Sequence, residues 1–266
     1  MKRIRILKRT FTIKPRMYLK TVQAIAFKSL LEVLKEIIND VNVYFDSSGM
    51  KIIAFDVARV TLVYVKLDAE NFEEYSCPSN VILGINVSNT FKLLKSISNS
   101  DILTITNTDE NLVITVSNES KKSTSKFSIR LLDLNEDLLE IPDCCDDSEK
   151  HETVIPSIDF QKIVRDMSNI GSELLIKRFG NSVEFACEGD FAEKQTTIEQ
   201  ADNVENEVLG TFSLKYLSMF TKATILCPLV QIIQESDETP IIFKYTIANL
   251  GELRFYLAPI STDTNS

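Results

Sequence analysis

A single histidine, seven glycines and five cysteines in 266 residues leave little material for several kinds of chemistry. The histidine, His151, sits in the polar stretch EKHET with no serine or cysteine nucleophile beside it, so a nucleophile–base pair has no home there. No GxxxxGK[ST] run occurs among the glycines, which excludes a phosphate-cradling P-loop. The cysteines, at 77, 144, 145, 187 and 227, are odd in number and lack metal or redox spacing; reduced thiols inside a cell are the expectation. No apolar run approaches the roughly 20 residues that span a bilayer, so no membrane partner is expected. From this inventory we expect no catalysis, no cofactor and no bound metal.

Core material and acid are abundant. Hydrophobic residues make up 44% of the chain and charged residues 25%, enough to bury a core in one large domain or two ordinary ones. The formal charge of −9 is unevenly spread. Residues 1–16, MKRIRILKRTFTIKPR, carry seven Lys/Arg and no acid, and the remaining body keeps 22 basic against 38 acidic residues. Such a body repels nucleic acid over most of its surface, so any attraction has to be local. The basic head fits a targeting segment or a nucleic-acid arm; the simplest reading is a poorly ordered extension ahead of Met17.

The body repeats itself. FKSLLEVLKEIIND (27–40) has apolar residues at 27, 30, 31, 34, 37 and 38, a helical period, and two β-like runs around Asp-Ser-Ser-Gly follow it. FQKIVRDMSNIGS (160–172) repeats that helix, and ELLIKRFGNSVEFACEGD supplies two strands around Gly-Asn. A second helix recurs as NVSNTFKLLKS (86–96) before DILTI and SLKYLSMFTKA (213–223) before PLVQI. The expected fold class is therefore α+β, with two similar domains at 17–131 and 151–260. The segment between them, 132–150, is acid-rich with one lysine and reads as an exposed connector; 261–266 is a polar tail. Asp143, Asp146, Asp147 and Glu149 in the connector lack the regular spacing and turn glycine of a calcium loop, and read as solvated linker.

Each of the four helices carries a cation pair: Lys28 and Lys35, Lys92 and Lys95, Lys162 and Arg165, Lys215 and Lys222. Spacings of three and seven put each pair on about one helix face. One such pair is an ordinary solvated face. Four in a duplicated plan, on an otherwise acidic body, point to a shared negative partner, although Glu32 near Lys28 weakens the first pair.

Taken together, FKSLLEVLKEIINDVNVYFDSSG, LLDLNEDLLEIP, LKYLSMFTKAT and IANLGELRFYLAP resemble proliferating cell nuclear antigen, the eukaryotic-type DNA sliding clamp, in order from Met17 to Ile260. The resemblance fits a divergent or viral member. It implies a homotrimeric ring of two-domain subunits, with helices lining the pore and antiparallel sheets outside. Such a ring encircles double-stranded DNA without reading sequence and tethers DNA polymerase, acting as a processivity factor. The eight cations would then contact the DNA backbone. Ring closure would pair KFSIRLL (126–132), with Phe127 and Ile129 on one face, with AEKQTTIEQ (192–200) of a neighbour. The other partners implied are a clamp loader and replication or repair proteins with short hydrophobic-aromatic motifs. The implied location is the nucleus, or an intracellular replication site for a viral member. A checkpoint-type hetero-ring subunit and a monomeric partner-binding scaffold are the alternatives.

The resemblance also assigns a partner pocket to Phe55, Arg59, Val60 and Leu62, to Leu139 and Ile141 of the connector, and to Pro240, Tyr256, Ala258 and Pro259. An apolar basin with aromatic and proline walls anchors aromatic plugs by desolvation. Val60 or Leu62 taken alone reads equally well as core. Five positions depart from relatives. Arg59 replaces a histidine and Phe55 a methionine, Ser76 and Ser79 replace basic residues, and Gly180 falls where relatives carry a modified lysine, with Lys177 and Arg178 close by.

Overall fold

The computed structural model describes residues 16–135 and 152–260, with backbone alone over 201–206. The first half runs β1 (Tyr18–Thr21), α1 (Ala24–Leu34), β2 (Asp40–Asp46), β3 (Gly49–Phe55), β4 (Thr61–Asp68), β5 (Glu74–Ser76), β6 (Val81–Asn86), α2 (Val87–Leu94), β7 (Ile102–Asn107), β8 (Asn111–Asn118) and β9 (Ser123–Arg130). The second runs β10 (Glu152–Pro156), α3 (Ser157–Met167), β11 (Glu173–Glu188), β12 (Glu193–Ser213), α4 (Leu214–Phe220), β13 (Leu229–Ile233), β14 (Ile241–Ile247) and β15 (Gly251–Leu257). A 3₁₀ segment, Thr221–Ile225, continues directly from α4.

Every helix is one stripe of apolar side chains against a sheet. Phe27, Leu30, Leu31 and Leu34 of α1 and Phe160, Ile163, Val164 and Met167 of α3 are buried at helical spacing. The boundaries differ from the apolar period in instructive ways. Ile37 and Ile38 continue the pattern of α1, but they lie in the turn that follows it, where their N–H groups donate to Leu34. α3 starts three residues before Phe160, because buried Ser157 is held by its N–H to Pro228 O and its hydroxyl to Cys227 O, at 2.8 and 2.7 Å. α2 begins where Asn86 accepts from Asn89 N at 2.8 Å, a side-chain N-cap.

The described strands form three antiparallel sheets, ordered β5-β1-β7-β8-β9, β10-β13-β14-β15-β4-β3-β2-β6, and β11-β12. The eight-stranded sheet joins the two repeats: β15 lies on β4 from Gly251 opposite Leu67 to Leu257 opposite Thr61. The two similar units are thus welded through backbone hydrogen bonds, and one contiguous core runs through both. In the second half that core is a chain of rings, Phe160 to Phe243 at 5.2 Å, Phe243 to Phe220 at 5.7 Å and Phe220 to Phe255 at 4.4 Å.

The Asp-Ser-Ser-Gly turn is where expected. Asp46 accepts from Ser48 N at 2.6 Å, and Gly49 takes φ 140°, with Leu67 O 2.0 Å from where a β-carbon would stand. The run around Gly-Asn in the second half differs from the two-strand expectation. Glu173–Glu188 is one assigned strand whose register shifts on either side of Gly180, at φ 60°. Residues 173–178 pair with 208–213 and residues 182–188 with 193–199, so the glycine divides the strand by partner.

Candidate nucleic-acid interface and partner pocket

The helices form one row. α2 packs on α1, α1 meets the 3₁₀ segment after α4, and both that segment and α4 pack on α3. This row gathers all eight predicted cations, but not on equal terms. Lys92, Lys95, Lys162, Lys215 and Lys222 are exposed and make no ion pair with the described residues. Lys92 Nζ reaches only the Asn89 side chain, at 3.3 Å, and Lys215 Nζ lies 5.7 Å from the Tyr216 ring centroid. Arg165 is exposed, with Asp166 3.7 Å away.

The first pair is different. Lys28 is half-buried and donates to Ile97 O at 3.3 Å, so the backbone, not Glu32, is its partner. Lys35 stands past the end of α1, ion-paired to Glu36 and 5.2 Å from the Phe91 ring centroid. The Lys215–Lys222 pair also departs from a purely α-helical spacing, because the α-helix ends at Phe220 and Lys222 lies in the 3₁₀ segment. Five α-helical and two 3₁₀ steps still return about two full turns, so the pair keeps roughly one face.

The predicted pocket residues divide into three groups. Phe55 and Arg59 line a cavity of about 400 Å³ together with Tyr44, Ile53, Val57 and Leu134. Leu62 and Tyr256, opposite each other across β4 and β15, are buried in a small cluster with Tyr64 and Ile242, separate from the main core. Val60, Pro240 and Pro259 are half-buried and Ala258 is exposed, its N–H donating to Val60 O at 3.2 Å. Leu139 and Ile141 lie outside the described residues, as do Cys144, Cys145, the connector acids from Asp143 to Glu149, and His151. Among the described residues no group of three metal-ligating side chains occurs.

Sequence reasoning missed what holds the cavity wall. Asp56, buried behind Phe55, accepts from the N–H of Ala58, Val60 and Thr61 at 3.1, 2.8 and 2.8 Å. Its fourth donor is the Tyr216 hydroxyl at 2.9 Å, reaching across from α4. Burial alone would push this carboxyl up, but the backbone donors and the phenol outweigh it and hold it below the ordinary range. Burial, with the bond to the Asp56 carboxylate and its charge, pushes the Tyr216 hydroxyl up. The turn closed by Asp56 puts Arg59 at φ 57°, in the left-handed region, with its guanidinium 5.8 Å from the Phe55 ring centroid. The sequence signal was present: an aspartate just past a β-like run and followed by Val-Ala-Arg fits an Asx-type turn.

At the sheet edges, β9 alternates as expected. Phe127 and Ile129 are half-buried against the core, while Lys126, Ser128 and Arg130 are exposed. Among the described strands β9 pairs with β8 alone, and residues 193–199 of β12 pair with β11 alone. Of the departures, Ser76 and Ser79 are exposed, and Lys177 near Gly180 is ion-paired to Glu207 at 2.8 Å.

Two α+β repeats with a row of four helices and antiparallel sheets define a clamp fold. Models of the proliferating cell nuclear antigen N-terminal and C-terminal domains match residues 17–139 and 145–260, and the chain belongs to that family of DNA sliding clamps. It is 38% identical over 258 residues, 91% of this chain and 96% of the relative, to the probable DNA polymerase sliding clamp 1 of Paramecium bursaria Chlorella virus 1. A clamp role in DNA replication follows from this membership, in a family of scaffolds rather than enzymes. No helix among the described residues is long and apolar enough to cross a membrane.

Proposed function

We propose that three copies of this chain close into a ring around duplex DNA and tether DNA polymerase and other replication and repair proteins to it. The observation that carries this reading is the row of four helices, on which five lysines stand exposed and in no ion pair with the described residues, on a protein of net charge −9. Lysine–phosphate contacts are sequence-independent and weak, with non-specific dissociation constants of order 10⁻⁴–10⁻⁶ M, so they hold DNA without stopping translation. Retention then comes from topology, and the acidic exterior turns DNA away from other surfaces. The division into domains at 17–131 and 151–260, joined by a connector at 132–150, belongs to this reading.

The polymerase, a clamp loader and repair proteins dock through short hydrophobic-aromatic motifs in the cavity beside Phe55 and Arg59. In this reading the protein works at an intracellular site of DNA replication. The test is trapping: protein loaded on nicked circular DNA stays bound through gel filtration and is released when the circle is cut. Equal retention on linear and circular DNA overturns the ring.

A further inference from the structure

We infer that ring closure in this protein is charge-coded: β9 presents a basic edge that takes the acidic edge of β12 from a second copy of the same chain. This rests on the ring proposed above and adds what selects the neighbour. On β9 the exposed face carries Lys126 and Arg130, and Lys121 and Lys122 lie at its start, all exposed and in no ion pair with described residues. On β12 the exposed positions carry Glu193 and Glu199, also in no ion pair with described residues. The one lysine of that stretch, Lys194, is on the other face and is held by Asp166 at 2.9 Å.

Strand geometry turns this composition into a contact. Side chains alternate between faces, so a register that puts Phe127 and Ile129 on the same side as Ile198 also puts Lys126 and Arg130 on the same side as Glu193 and Glu199. Opposite charges across paired strands attract, and like charges directly opposite repel. A twofold pairing of β9 with β9, or of β12 with β12, would face like charges. Only the head-to-tail contact is complementary, and a head-to-tail contact is the kind that closes a ring. Phe191, 78% exposed immediately before the acidic edge, is an apolar ring that the neighbour would cover.

The test measures mass by light scattering and subunit exchange with labelled protein, with far-UV circular dichroism and urea midpoints confirming that each variant folds. Wild type is expected at three times 30.1 kDa in low salt, its subunit affinity falling roughly tenfold or more in molar salt. K126E/R130E and E193K/E199K should each weaken self-association at least about tenfold. The chain carrying all four substitutions should reassemble with itself and fail to exchange with wild type. Single-edge variants that assemble like wild type overturn the inference while leaving the ring intact, and so does a folded fourfold variant that stays dissociated. Wild type that is monomeric at every salt concentration sinks the ring itself.

Discussion

The helix row and the loop at 56–61 use charge in opposite ways. On the helices, five lysines stand exposed with no carboxylate of the described residues bound to them. In the loop, one buried carboxylate is saturated by three N–H groups and a phenol. A partner that slides needs weak, interchangeable contacts, which hydrated cations supply. A partner seated in one pose gains from walls that are fixed before it arrives. The contrast says which surface is generic and which is selective.

The strongest way to break the contrast is to remove the free cations. Replacing Lys92, Lys162, Lys215 and Lys222 with alanine should leave the fold unchanged, weaken DNA binding about a hundredfold or more, and flatten the log–log salt slope by about 3 to 4. Matched pairs sharpen the point. Lys215→Ala with Lys222→Ala should lower the slope by about 2, whereas Lys28→Ala with Lys35→Ala should lower it by less than about 1, since those two are already engaged by Ile97 O and Glu36. Equal slopes for the two pairs, from fluorescence anisotropy across a salt series, would show that burial and pairing do not grade the row.

Next comes the loop. Asp56→Ala strands three backbone donors and the Tyr216 hydroxyl, and should cost about 3 kcal/mol of stability by urea unfolding. The pH dependence has a definite sign. The carboxyl is held below its ordinary value of 3.8, so its stabilisation is present above 3.8 and is lost as pH falls through the lower folded value. Asp56→Asn should remove that share of the acid-side slope. An unchanged slope would place the acid sensitivity elsewhere, at Asp46 or Asp101, which are also held low by hydrogen bonds. Tyr216→Phe deletes one of the four donors and should cost only about 1 kcal/mol, with partner-peptide affinity reduced and DNA binding unchanged.

The helices and their cations were legible because period and charge survive in one dimension. Phe27, Leu30, Leu31 and Leu34 announce α1 by spacing alone, and the repeat of the plan announces α3. The ends were not legible: Ile37 falls in a turn closed onto Leu34 although it keeps the apolar period, and Ser157 takes its place from contacts with Pro228 and Cys227. The weld of β15 to β4 was equally invisible, because nothing in either strand names a partner nearly 190 residues away. For the pocket, the resemblance pointed to Phe55 and Arg59 but not to depth: Leu62 and Tyr256 turn out to be covered, and the Tyr216–Asp56 bond joins helix and loop across 160 residues.

Arg59 offers the smallest effect and a cleaner separation of stability from binding. Its φ of 57° is a conformation that costs a non-glycine residue about 1 kcal/mol, held here by the Asp56 turn. Its guanidinium meanwhile lies 5.8 Å from the Phe55 ring centroid at the cavity wall. Arg59→Gly relieves the backbone and removes the cation at once. The expected outcome is a protein more stable by roughly 0.5 kcal/mol in urea that binds its partner peptide several-fold more weakly by calorimetry. If stability and affinity fell together, Arg59 would be supporting the loop by packing. Opposite movement would show that the strain is kept because the side chain it positions serves the selective surface.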